Sequence, residues 1–132
     1  MKNVEVKTAL STGEALDSSY EYFVEKQGLE LVEWIAHLHA KEGACELRVS
    51  GGRIKGSTEV DSKAVLLSQT EKLVKDYGFE PVYFGLHLHT NPDADAGHLM
   101  IAVKDNDPVE ITFESRDLDS EVREFSDQLP KA

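Results

Sequence analysis

Val82-Tyr83-Phe84-Gly85-Leu86-His87-Leu88-His89 decides how this chain is built. Val82, Phe84, Leu86 and Leu88 alternate with Tyr83, Gly85, His87 and His89, the two-residue period of a strand with one buried face. The apolar set is the core face, so both histidines point away from it. His98-Leu99-Met100-Ile101-Ala102-Val103-Lys104 repeats the alternation, with Leu99, Ile101 and Val103 facing inward. An antiparallel hairpin that pairs core with core sets Leu88 against Leu99, Leu86 against Ile101 and Phe84 against Val103. His89 then lies across from His98, His87 from Met100 and Gly85 from Ala102. A third strand over 109–114, joined across Asp105-Asn106-Asp107-Pro108, adds Val109, Ile111 and Phe113 to the core and brings Glu114 beside His98. A slip of two residues would keep every face and break these pairs.

Upstream, Pro81 marks the start of the first of these strands, where a missing backbone donor is tolerated. Before it, Asp61 reads as the cap of a helix in which Leu66, Leu73 and Tyr77 align with Val65 and Val74, closed by Gly78. Cys45, Leu47 and Val49 alternate with Glu46 and Arg48. Gly51-Gly52 then has the composition of a two-residue hairpin turn, with Arg53 to Val60 returning as the partner strand. Residues 29–42 fit two patterns. A strand would put Leu29, Leu31, Ile35, His37 and His39 on one face with Glu33. A helix gives the stripe Leu31, Ile35 and Leu38, with Gly43 as its stop. Glu33 breaks a buried strand face, so the helix is preferred.

At the N-terminus Val4, Val6 and Leu10 suggest a strand, and Ser11-Thr12-Gly13-Glu14 has the form of a capping box. The helix it opens carries Leu16, Tyr20, Phe23 and Val24 and stops at Gly28. Leu118, Val122, Phe125 and Leu129 place a last helix at the C-terminus. The expectation is a single α+β domain over residues 1–132. Its sheet is mainly antiparallel, a hairpin plus a three-strand meander, with helices packed on one face. From the first helix onward this element order resembles the roadblock/LC7 and profilin-like scaffolds, which regulate or platform other proteins.

The composition narrows the function classes. The 132 residues include 14 basic and 25 acidic side chains, a net charge of −11. That balance argues against a phosphate backbone as partner, because nucleic-acid affinity comes largely from Lys and Arg. No apolar run approaches the roughly 20 residues of a membrane span, and the first residues lack the apolar stretch of a secretory signal. The lone Cys45 can form no internal disulfide, so a cytoplasmic location is expected. The charge is uneven: residues 93–132 hold 11 acidic and 4 basic side chains. A dense acidic region steers association with a basic surface. The first functional expectation is therefore a small acidic protein-binding module of the inhibitor, immunity, nucleic-acid-mimic, chaperone or platform type. Its contacts would come from Asp105, Asp107, Asp117, Asp119, Glu121, Glu124 and Asp127. A homodimer is a further option for the sheet face or an edge.

The second expectation comes from the histidines. All five lie in two His-Leu-His runs, 37–39 and 87–89, and at His98. His87, His89 and His98 with Glu114, at the mouth of a loop that adds Asp93 and Asp95, form a donor set suited to zinc or another divalent metal. A metal-binding protein or a metal-dependent hydrolase follows from that cluster. His-Leu-His also resembles the metal motif of the HUH nucleases, but Met100 stands where their spaced variant needs a histidine. The histidine-triad hydrolases would need a third histidine where Gly85 or Asn91 stands, and JAMM-type proteases need a serine and an aspartate where Gly97 and Met100 stand.

Overall fold

The alternating stretches lie at the centre of one six-stranded antiparallel sheet. The computed structural model describes residues 2–41, 43–50, 59–90 and 97–132. Along the chain run β1 (Lys2–Thr8), α1 (Thr12–Tyr20), β2 (Glu30–Ala40), β3 (Gly43–Ser50), α2 (Glu59–Tyr77), β4 (Glu80–His89), β5 (His98–Lys104), β6 (Val109–Arg116) and α3 (Asp119–Gln128). The strand order is β1-β6-β5-β4-β2-β3. It contains the expected meander, β4–β5–β6, and a hairpin, β2–β3, with β1 added beside β6.

Between β4 and β5 the register matches the one read from the alternation: Leu88 pairs with Leu99, Leu86 with Ile101, Gly85 with Ala102, His87 with Met100 and His89 with His98. Leu86, Leu88, Leu99 and Ile101 are fully buried. Each such side chain stabilises the fold by about 1.5–3 kcal/mol. A one-residue slip would turn all four outward, a loss on the scale of a whole domain's net stability.

The helices share the core with this apolar face. Leu16, Leu66, Val122 and Phe125 pack into one cluster with Trp34, Leu38, Leu86, Ile101 and Phe113. Ser11 caps α1 in a full capping box with Glu14, and the helix continues in π-helical winding over Glu21–Lys26. That wider turn buries Tyr22, Phe23 and Val24 together. The rings of Phe23, Phe113 and Phe125 meet there, with centroids 5.1–6.5 Å apart. Gly28, at φ +74°, ends this segment in the left-handed region.

Four expectations need correction. Residues 30–40 form a strand, not a helix. The reason is a β-bulge: Leu31 pairs with Leu88 and Glu33 with His87, so Val32 is an extra residue on β2. The bulge flips the alternation. Leu31 faces the core before it and Trp34, Ala36 and Leu38 after it, while Glu33 joins the polar face. As a consequence β3 pairs with β2. Glu59 and Val60 belong to α2, which starts ahead of Asp61; Gly51-Gly52 and residues 53–58 lie outside the described residues. α2 buries Leu66 and Thr70 and leaves Val65, Val74 and Tyr77 exposed. Finally, β6 is shifted by two residues, so Glu114 pairs with Met100 and Arg116 with His98. Ser115 explains the shift. It extends the core row of β6 opposite Leu99, buried with its hydroxyl donating to Asp119 Oδ1 at 2.8 Å, and a polar residue there hides the row's true length.

Gly85 is a close-approach position in β4. A Cβ there would lie 2.5 Å from the backbone oxygen of Ile101. Gly85→Ala should therefore destabilise the fold by about 1–3 kcal/mol, the usual cost of overpacking. Urea unfolding would read this as a lower midpoint; an unchanged midpoint would contradict the tight β4–β5 contact.

Candidate metal centre

The polar face of the sheet gathers three histidines at the paired end of β4 and β5. His87 and His89 are two residues apart on β4 and therefore share a face. The register sets His98 of β5 directly across from His89. The consequence is convergence of three ring nitrogens. His87 Nε2 lies 2.7 Å from His98 Nε2 and 3.1 Å from His89 Nε2. One ligand atom from each of the three residues falls within 4.8 Å of the others. The rings stand at steep angles, 69–73° between planes, with centroids 4.6–5.1 Å apart.

A strand that sequence patterning assigned to a helix supplies the next partner. The β2 bulge puts Glu33 across from His87, and Glu33 Oε1 approaches His87 Nδ1 at 3.5 Å. The same carboxylate oxygen accepts from the Arg48 guanidinium at 2.6 Å, and Arg48 also binds Glu46 at 2.6 Å. Glu33 is thus held by β3 while it faces the outer nitrogen of His87. Sequence reasoning missed Glu33 because its signal depends on the bulge. The usable clue was a charged residue breaking the alternation of an otherwise apolar strand.

This contact bears on the tautomer. A carboxylate facing Nδ1 favours the proton on that nitrogen and leaves Nε2 as a bare lone pair. His87 Nε2 has one in-plane lone pair or one proton, yet two other ring nitrogens crowd it. A proton satisfies one such contact at a time, whereas a cation satisfies three lone pairs together. Around zinc, nitrogens at about 2.0–2.1 Å from the ion stand roughly 3.3 Å apart in a tetrahedron. The two spacings from His87 Nε2, 2.7 and 3.1 Å, are within a small ring rotation of that value. Three protein ligands leave a fourth position for water or an exchangeable ligand.

The other expected site residues are placed differently. Glu114 is exposed and pairs with Met100, away from the His89–His98 pair. Asp93 and Asp95 lie outside the described residues. The acidic set is spread along the C-terminal part. Asp105 and Asp107 sit between β5 and β6, with Asp105 accepting from Thr12 Oγ1 at 2.8 Å. Asp117 and Asp119 flank the start of α3, with Asp119 taking the Ser115 hydroxyl, and Glu121, Glu124 and Asp127 lie on the helix. Trp34 is buried, and Tyr83 is half-buried and stacks on His37 at 5.2 Å. No helix of the described residues is long and apolar enough to cross a membrane. No family model matches the chain, and neither the curated proteins nor the solved structures include a match to it.

Burial pushes the His87 imidazole below its ordinary pKa, with the neighbouring His89 adding to the shift and Glu33 opposing it. The folded state thus binds fewer protons at His87 than the unfolded chain does. Its contribution to stability is intact above about pH 6.5 and is lost as the pH falls from there through the lower folded value. In the metal-free protein the His87 ring signals should titrate below those of an unperturbed histidine when followed by two-dimensional NMR. Titration at or above the ordinary value would contradict the burial of this ring.

Proposed function

We propose that this protein binds a divalent transition-metal ion of the zinc type through His87, His89 and His98. One observation carries this: His87 Nε2 lies 2.7 and 3.1 Å from the Nε2 atoms of His98 and His89, with one ligand atom of each residue within 4.8 Å of the others, an arrangement that imidazole protons alone satisfy poorly. Imidazole is a ligand shared by zinc, copper, nickel and iron. Glu33 is the outer-sphere partner, orienting His87 from behind in the carboxylate–histidine–metal pattern, with Arg48 fixing the carboxylate. The remaining coordination position is left for water or an exchangeable ligand. A metal-bound water there would have a lowered pKa, the starting point for hydrolytic chemistry.

The purified, untagged protein, incubated with zinc and desalted, should retain about one equivalent by elemental analysis, as tight imidazole sites do. His89→Ala and His98→Ala should each retain less than about 0.2 equivalents while keeping the wild-type circular dichroism. Wild-type protein holding less than that amount would overturn the proposal.

The outer-sphere role of Glu33 has its own signature. Glu33→Gln keeps the shape and removes the charge. It should weaken zinc affinity by about 10–100-fold without abolishing binding, the usual effect of losing such a partner. Competition with a chromophoric chelator measures this directly, and unchanged affinity would remove Glu33 from the site.

A further inference from the structure

The other His-Leu-His run is built on the same plan. His37 and His39 lie on the polar face of β2, and their Nε2 atoms are 2.9 Å apart with the rings at 74°. His37 Nδ1, buried and without a hydrogen bond, lies 3.6 Å from Glu46 Oε2, behind the ring as Glu33 lies behind His87. Glu46 is held by Arg48, whose Nε donates to Glu46 Oε1 at 2.6 Å. One guanidinium thus anchors the carboxylates behind both histidine pairs. Tyr83 stacks against His37 at 5.2 Å with 16° between planes, which fixes that ring, while His39 is exposed.

We infer that His37 and His39 form a second, separate metal site, a two-imidazole chelate for a divalent ion such as nickel or copper. Two histidines at i and i+2 on a strand share a face, and here their Nε2 atoms already meet. A nitrogen pair suits the later first-row divalent ions best, in the order of intrinsic affinity that rises to copper. With two protein ligands, water fills the rest of the coordination sphere, so the ion is held less tightly than at a three-imidazole centre. Glu33, the register partner of His87, lies four residues from His37 along β2, roughly 13 Å of strand. The two pairs are therefore distinct sites, and the inference stands independently of the three-imidazole reading.

The test is a nickel titration of full-length protein by calorimetry, after preloading with one equivalent of zinc. Wild-type protein should show one further binding event of about one equivalent. His39→Ala, at an exposed position that should leave the fold intact by circular dichroism, should abolish it and leave zinc retention unchanged. Absence of a nickel event in the wild type, or its persistence in His39→Ala, would overturn the second site. Loss of zinc retention in the wild type alone would instead count against the three-imidazole centre.

Discussion

Everything on the polar face depends on the register of β4 between β5 and β2. Burial of Leu86, Leu88, Leu99 and Ile101 locks β4 to β5, and that same lock places His98 against His89 and within 2.7 Å of His87. The core thereby sets the geometry of a site to which it contributes no atom. A one-residue slip would bury the histidines without partners, a penalty added to the loss of the apolar contacts.

The second constraint is electrostatic. An imidazole exposed on a strand is free to rotate, and converging rings need something to hold them. Glu33 and Glu46 stand behind the two histidine pairs, and Arg48 binds both carboxylates. Ion pairs at exposed positions contribute little to stability. Their importance here is orientation: they fix which nitrogen of each ring faces outward. In a chain of net charge −11, a single arginine shared by two carboxylates also limits their repulsion on one face.

How much of this was legible follows from where periodicity is informative. Residues 82–89 and 98–104 alternate without interruption, so their faces and mutual register were readable, as was the convergence of His89 with His98. β2 was not, because the bulge at Val32 moves the apolar set from one parity to the other. The two halves of that strand each look regular, but together they mimic a helical stripe. Glu33 stayed hidden for the same reason. Glu114 was misplaced for a different one: a two-residue slip of β6 costs nothing in facing, so only Ser115, a buried polar residue, distinguishes the registers. The acidic character of residues 93–132 was plain in the sequence, yet charge alone names neither a surface nor a partner.

The central claim is that three imidazoles from β4 and β5 share one ion. X-ray absorption at the zinc edge of the loaded protein tests it most directly. Three imidazole nitrogens at about 2.0–2.1 Å, with one further light ligand, are the predicted shell. A shell of oxygen ligands, or one imidazole at most, would contradict the account.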